Sequence, residues 1–484
     1  MNTSIIRYIL GQVLRLEGLF LLLPCIVALI YRETSGLSFL ATALLCIMLG
    51  TLMTYKKPSS HMFYLKEGCI TTALSWIVLS IFGALPFCIS GEIPSFTDAM
   101  FETVSGFTTT GASILSDVEA MSHAGLIWRS FTHWIGGMGV LVFLLAIVPL
   151  SGGSNINLMR AESPGPSVGK LVPKMKLTAQ ILYAIYLVMT VIMIILLLIG
   201  GMPLFQTLCT AFGTAGTGGF GFLNDGMASF SPYLQWVITI FMILFGVNFN
   251  AYYYILFRQF SKAFAMEEVR YYFLIILSAV GIIFIDILDM FSTAFEALTH
   301  AAFQVGSIIT TTGYSTTDFN LWPQTSKCVL VLLMFIGACA GSTGGGMKVS
   351  RFVILFKNIG KEFHSYIHPR SVKKIQLDGK PVEHDVIRSI NVYCFTFAII
   401  FCASVLVLSL EGYDFTTTFT AVAATFNNIG PGLELVGPMS NYGHLSDLST
   451  WVLTFDMLAG RLELFPLLLL FHPTIWRDYF RQKR

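Results

Sequence analysis

The sequence predicts an all-α polytopic membrane protein: four span–pore-helix–span repeats around a central pore, with two extra transmembrane helices at the N-terminus. Three observations carry this prediction. The 484 residues are 55% hydrophobic and only 12% charged, with a mean hydropathy of +0.73. No soluble core needs so much apolar sequence. A glycine- and hydroxyl-rich stretch recurs four times at intervals of roughly 100 residues, the mark of an internal repeat. Before each copy lies an apolar segment too short to cross a bilayer.

The reference copy is Thr310-Thr311-Thr312-Gly313-Tyr314-Ser315. Thr108-Thr109-Thr110-Gly111-Ala112-Ser113 is nearly identical, and Gly216-Thr217-Gly218-Gly219-Phe220-Gly221 and Asn427-Asn428-Ile429-Gly430-Pro431-Gly432 keep its glycine. A large apolar residue stands at the same distance before each: Phe96, Leu204, Leu298 and Phe415. A small one follows inside the next apolar run: Gly139, Gly246, Gly341 and Gly460. Such a hexapeptide makes a poor helix or strand. It suits a backbone that offers its carbonyls to a desolvated cation. A single copy fits a small-residue helix-packing surface as well; four copies favour the cation reading.

In order, residues 1–66 form a hairpin of two spans, 6–31 and 36–54, joined by Arg32-Glu33-Thr34-Ser35-Gly36. Arg15 and Glu17 interrupt the first span near one end, where they are expected to snorkel or pair locally. Repeat one (67–150) uses segments 68–90, 95–109 and 124–149. A cytoplasmic segment with repeat two (151–258) uses 176–200, 202–216 and 232–257. Repeat three (259–364) uses 271–290, 293–309 and 326–357. The remainder (365–484) holds a cytoplasmic hairpin, then 385–410, 414–427 and 449–471, and a basic tail. The middle segments, roughly 13 to 17 residues each, cannot span ~30 Å of hydrocarbon. They are read as re-entrant half-helices whose C-terminal ends, each equivalent to roughly half a negative charge, point at the glycine stretches. That sign suits a cation.

Lysine and arginine set the orientation. Only Arg32, Arg129 and Lys327 are read as falling in loops on the side of the glycine stretches. The opposite side holds Lys56, Lys57, Lys66, Arg160, Lys170, Lys174, Lys176, Arg258, Lys262, Arg270, the run from Lys348 to Arg388, and Arg477, Arg481, Lys483 and Arg484. The positive-inside rule makes that side cytoplasmic; ten spans with both termini inside satisfy the parity. Asp378-Gly379 is a hairpin-turn signal in the largest cytoplasmic segment, a partner surface or an ordered loop. The nine cysteines lie almost all in apolar runs and show neither disulfide nor metal spacing. His133 and His300 have no Gly-x-Ser-x-Gly elbow or HExxH beside them, which argues against a hydrolase, and no enzyme is expected.

Two places break the fourfold pattern and read as a gate. Gly341-Ser342-Thr343-Gly344-Gly345-Gly346 interrupts the second span of repeat three, and each glycine in a helix costs about 1 kcal/mol against alanine. Irregular backbone at that depth must be buried or line a wet cavity. Arg461 follows Gly460 in repeat four, where a guanidinium costs ~2.5–3.5 kcal/mol to insert. It must face an aqueous pore or pair with a carboxylate such as Asp456 or Glu463. Glu102 is read as satisfying backbone amides near the first glycine stretch, and Lys348 and Arg351 as snorkelling to the cytoplasmic interface.

These features together resemble the Trk/Ktr/HKT superfamily of potassium transporters over essentially the whole chain. The two extra N-terminal spans and Leu158-Met159-Arg160-Ala161-Glu162-Ser163-Pro164-Gly165-Pro166 look like its TrkH/TrkG branch. The resemblance implies that Gly111, Gly219, Gly313 and Gly430 are selectivity-filter glycines. The potassium-coordinating set is then Thr110, Gly111, Gly218, Gly219, Thr312, Gly313, Ile429 and Gly430, flanked by Thr109, Thr217, Thr311 and Asn428. Glycine at all four positions implies potassium over sodium. The resemblance also makes Gly341–Gly346 an intramembrane gating loop and Arg461 a pore arginine. It implies a homodimer in lipid at the bacterial inner membrane, working with cytoplasmic TrkA-like regulatory subunits that bind NAD or ATP/ADP. The chain itself carries no phosphate-binding loop or GxGxxG unit, so nucleotide sensing falls to that partner; nothing points to nucleic acid. A proton- or sodium-coupled potassium symporter using the same filter is the alternative. A broken-helix transporter of another solute fits less well, because the four repeats share one orientation and their filter zone is poor in carboxylates.

Overall fold

The computed structural model describes residues 2–58, 63–139, 175–371, 374–475 and 477. The 158–166 motif, Arg160, Lys170, Lys174, positions 140–149 and the tail cations Arg481, Lys483 and Arg484 lie outside the described residues.

Among the described residues the architecture is all-helical apart from one two-stranded hairpin. Its strands, Gln376–Leu377 and Lys380–Pro381, pair antiparallel around Asp378-Gly379, both at positive φ (51° and 73°) as a type I′ turn requires. The N-terminal pair is Thr3–Tyr31 and Gly36–Thr54. These helices cross so closely that a Cβ on Gly50 would stand 2.6 Å from the backbone carbonyl of Gly11. Such close packing is what small residues permit in membrane helices. Glu17 does not snorkel. It is fully buried, with a carboxylate oxygen close to Gly83 of the next helix, Leu65–Ser90. Its position on the face turned toward that helix leaves it no route to an interface.

Each repeat contributes a long first helix, a short pore helix and a second helix. The pore helices are Phe96–Phe107, Leu204–Ala215, Ala294–Ile309 and Phe415–Phe426. Three start on side-chain caps: Ser95 accepts from Asp98 N, Thr293 from Glu296 N and Asp414 from Thr417 N. The second starts after Pro203, whose fixed φ is compatible with a helix start. Phe96, Leu204 and Phe415 open their helices, whereas Leu298 lies one turn inside the third.

The second spans differ from the sequence reading in all four repeats. They are short helices, His123–Gly137, Pro232–Phe245, Gln324–Ile336 and Asp447–Arg461, of 13 to 15 residues. At 1.5 Å per residue each is only about 20–22 Å long. Repeat two then turns through 92° into Phe249–Leu256, and repeat four passes through Glu463 and Leu464, both at positive φ, into Phe465–Leu468. Six helices are long and apolar enough to cross a membrane singly, with one bent pair besides, so ten uninterrupted spans are not present among the described residues. In repeats one and four the second helix is crowded against the end of its own pore helix. A Cβ on Gly136 would stand 1.9 Å from the carbonyl oxygen of Phe107, and one on Gly460 2.0 Å from that of Phe426. Gly136, rather than Gly139, is therefore the counterpart of Gly460.

Candidate ion pathway

Each pore helix ends in the same way. The residue two before the glycine adopts a left-handed conformation: Thr109 (φ 56°), Thr217 (54°), Thr311 (58°) and Asn428 (57°). The next residue's N–H returns to the helix, as in Thr110 N to Ser105 O (2.9 Å), Gly218 N to Gly213 O (2.8 Å), Thr312 N to Ser307 O (2.8 Å) and Ile429 N to Ala424 O (2.8 Å). These are Schellman-type caps, with threonine in three places where glycine is usual. Left-handed backbone costs a non-glycine residue about 1–2 kcal/mol, so the surrounding packing must enforce it. The glycine that follows is again left-handed, at φ 80° for Gly111, 81° for Gly219, 84° for Gly313 and 99° for Gly430.

The double reversal brings the four stretches together in a closed ring. A Cβ built on Gly111 would lie 2.0 Å from the carbonyl oxygen of Gly218; on Gly219, 1.8 Å from that of Thr312; on Gly313, 2.0 Å from that of Ile429; on Gly430, 2.7 Å from that of Thr110. Repeat one thus touches two, two touches three, three touches four, and four returns to one. Each glycine is required twice, by its φ and by the neighbouring carbonyl. Among the described residues, no hydrogen bond is donated to the carbonyls of Thr110, Gly111, Gly218, Gly219, Thr312, Gly313 or Ile429. Gly430 differs, its carbonyl accepting from the Tyr442 hydroxyl at 2.7 Å. Thr110, Gly218, Thr312 and Ile429 are buried, and Gly111, Gly219 and Gly313 half-buried; buried carbonyls are almost always partnered in proteins, so such a ring calls for water or a cation.

The glycine at 218, where the other repeats carry a side chain, has a local explanation. A Cβ there would stand 2.1 Å from the ring of His133, which is fully buried and stacked on Phe220 with centroids 4.3 Å apart. His133 is packing behind the second stretch. His300 bonds to Thr316 Oγ1 at 2.8 Å.

A second closed ring of contacts lies on the side from which the pore helices enter. Asn224 of repeat two takes Val118 N on its Oδ1 (2.8 Å) and gives its own amide to Asp117 (2.8 Å). Met227 N reaches Ser315 O (2.9 Å), Glu434 N reaches Asn320 Oδ1 (2.9 Å), and Tyr442 N reaches Ser113 O (2.8 Å). The bond from Asn224 holds the Asp117 carboxyl below its usual range, so that mouth keeps its negative charge. Glu102 serves the same layer. It accepts from Ile114 N (3.0 Å) and Ser113 Oγ (3.0 Å) and pairs with Arg129 at 2.7 Å, both side chains buried. Arg129 continues to Gly221 O (3.1 Å), tying repeat one to repeat two. It is therefore an internal strut, not a loop cation, because its helix faces inward at that turn.

On the other side of the ring runs an irregular segment, Gly337 to Lys348, longer than the Gly341–Gly346 stretch that the sequence singles out. Gly345 N donates to Thr311 Oγ1 (2.6 Å) and Gly346 N to Asn427 O (3.1 Å), so the loop lies directly against the ends of pore helices three and four. Thr343 donates through N and Oγ1 to Phe245 O (3.4 and 3.2 Å). Ser342 Oγ closes on Cys339 O (2.6 Å), Gly344 packs under Thr310, and Gly341 O accepts from Phe249 N (3.1 Å).

Arg461 completes this layer. Its guanidinium donates to Thr343 O (2.9 Å) in repeat three and to Gly136 O (2.5 Å) and Gly137 O (2.8 Å) in repeat one. Repeats one and three are diagonal in the ring, so a group that touches both lies close to its axis. The two carboxylates nearest in sequence are engaged elsewhere: Glu463 pairs with Arg351, and Asp456 accepts from Ser404 Oγ at 2.8 Å. Lys348 and Arg351 do not snorkel. Lys348, 1% exposed, folds back onto Gly344 O, while Arg351 adds a bond to Met347 O (2.9 Å) and stacks 4.0 Å above the Tyr393 ring. Burial beneath the ring and a carboxylate supplied by repeat four explain why neither reaches the surface.

Four half-length helices aimed at one ring, with an irregular loop lying against its other side, define the architecture of a polytopic membrane transport protein. Comparison places it more narrowly. The family model described as "TrkH: Cation transport protein" matches residues 35–478, and the chain belongs to that family. It is 35% identical over 486 residues to the Trk system potassium uptake protein TrkH of Salmonella typhimurium, covering 99% of this chain and 100% of that one. It is 35% identical to the Trk system potassium uptake protein TrkG of Escherichia coli K12, with 99% and 100% coverage. The crystal structure of the potassium transporter TrkH from Vibrio parahaemolyticus superposes with a TM-score of 0.88 at 32% identity, covering 98% of this chain and 100% of that one.

Proposed function

We propose that this chain takes up potassium through the glycine ring, with the Gly337–Lys348 loop and Arg461 as its gate. The observation that carries the reading is the ring of carbonyls, four on buried residues (Thr110, Gly218, Thr312 and Ile429) and three on half-buried glycines, that accept no bond from the described residues. Such oxygens can replace the hydration shell of a monovalent cation. The pore-helix C-termini supply roughly two negative charges in total, and no side-chain carboxylate is needed at the site. The filter in this reading is Thr110-Gly111, Gly218-Gly219, Thr312-Gly313 and Ile429-Gly430, held in shape by Thr109, Thr217, Thr311 and Asn428. The names of the relatives supply the ion.

The loop and the arginine act together. The loop narrows the path below the ring, and a guanidinium near the axis opposes cation occupancy. Opening requires Arg461 to release Thr343. The membrane is the bacterial cytoplasmic membrane, with both termini and the basic side in the cytoplasm, and the protein works as a homodimer with TrkA-like nucleotide-binding subunits. Purified chain in proteoliposomes should take up rubidium or potassium down its gradient, with sodium failing to compete. Flux that appears only with a proton or sodium gradient would instead support the coupled symporter using the same ring.

A further inference from the structure

We propose that Glu268 is a positioning residue for the gate, its carboxylate clasping the loop on either side of the Gly341–Lys348 stretch and holding it under the ring. The inference rests on the reading of that loop as the gate. Glu268 lies in the first turn of the helix Glu267–Ile287, 5% exposed. Its Oε1 accepts from Ala340 N, inside the loop four residues after repeat three's second helix ends at Ile336, at 2.6 Å. The same oxygen accepts from Ser350 N, just beyond the loop, at 3.1 Å. One oxygen thereby joins two backbone positions that bracket Gly341 to Lys348.

Each feature around the carboxylate serves that closure. Ser350 N belongs to the first turn of Val349–Ile367, so the carboxylate also meets the positive end of a 19-residue helix. Charge-assisted bonds of this kind are roughly twice as strong as neutral ones. Oε2 accepts from Asn248 Nδ2 at 3.2 Å, and the neighbouring Phe249 N holds Gly341 O at 3.1 Å, so the break in repeat two braces the same clasp. Glu267, the preceding residue, is held by the hairpin. Its N–H donates to Asp378 Oδ1 (2.7 Å), and its carboxylate pairs with Lys357, whose ammonium also reaches Gln376 O at 2.7 Å. The position of the clasp is therefore fixed from the basic side. Glu268, Ala340, Gly341 and Ser350 line a cavity of about 910 Å³ together with Asp378 and Lys380, which leaves this part of the loop room to move once released.

The test compares the full chain with Glu268→Ala, Glu268→Gln and Arg461→Ala in proteoliposomes, read as rubidium flux and as single-channel open fraction, conductance and potassium/sodium permeability ratio. Glu268→Ala should raise flux on the order of tenfold, the factor corresponding to 1.4 kcal/mol, through open fraction alone. Conductance and permeability ratio should stay at wild-type values, which general loosening of the membrane core would not preserve. Glu268→Gln keeps an acceptor oxygen without the charge and should fall between; it decides the matter if the alanine variant fails to fold. Wild-type open fraction in the Glu268 variants, alongside raised flux in Arg461→Ala, would overturn the clasp and leave the gate standing. Unchanged flux in Arg461→Ala as well removes the gate itself, and the clasp with it.

Discussion

Gly313→Ala is expected to cut potassium flux at least tenfold and to abolish discrimination against sodium in whatever flux survives. Two costs combine at this position. A φ of 84° is outside the range that an L-residue adopts freely, and the penalty is about 1–2 kcal/mol. The added Cβ would also stand 2.0 Å from the carbonyl oxygen of Ile429 and 2.9 Å from Cδ of Pro431. The nearer obstacle is backbone, which cannot swing aside as a side chain can, so the Ile429 carbonyl must leave the ring. A loss of 1.4 kcal/mol already means a factor of ten, and serine should behave as alanine does. The ring geometry also ranks the four positions. Gly430 has the loosest closure, 2.7 Å from Thr110 O, and its own carbonyl is already held by Tyr442. Gly430→Ala should therefore be the mildest, and Gly219→Ala, with 1.8 Å to Thr312 O, among the most severe. Rubidium uptake with sodium as competitor, alongside a thermal melt in detergent, gives the ranking. Equal effects at Gly430 and Gly219 would show that the closed ring does not set selectivity.

Arg461→Ala is expected to raise flux on the order of tenfold while leaving the potassium/sodium ratio unchanged. The guanidinium holds Thr343 O on the loop and Gly136 O and Gly137 O on the opposite repeat, and these are not ring carbonyls. Its removal frees the loop on one side and withdraws a positive charge from the axis. Arg461→Lys separates the two contributions, because an ammonium keeps the charge but lacks the planar fork that reaches both repeats. Its flux should lie between wild type and alanine. A lysine variant indistinguishable from alanine would assign the effect to the bonds alone. An alanine variant with wild-type flux and a lowered melting temperature would make Arg461 a structural tie.

Much of the fold was legible because membrane burial leaves few alternatives. Apolar segments such as 95–109 and 414–427 cannot span, so they had to be re-entrant, and the glycine stretches had to be where they end. The turn at Asp378-Gly379 was equally readable, since its residue types tolerate positive φ. The breaks in all four second spans were not. Phe245-Gly246-Val247-Asn248-Phe249 stays mostly apolar across its 92° bend, and the contacts made there, with Tyr272, Cys339 and Gly341, are all distant in sequence. Charge alone misplaced Arg129, Lys348 and Arg351. The partners of Arg129 and Arg351, Glu102 and Glu463, become neighbours only after folding, and Lys348 turns back on Gly344 O only because the loop between them is irregular. The ties made by Asn224 and Asn320 across the mouth have no local signal at all, and the same holds for Glu268, seventy-two residues from Ala340.

The central claim is that a desolvated cation sits inside the ring, and locating it there is the most direct measurement. Crystals of the protein grown in rubidium or thallium should give anomalous density on the ring axis, within coordination distance of the Thr110, Gly218, Thr312 and Ile429 carbonyls. That density should vanish in the Gly219→Ala protein. A ring without density, with the ion beside a buried carboxylate such as Asp456, would contradict the account and move the binding site away from the glycines.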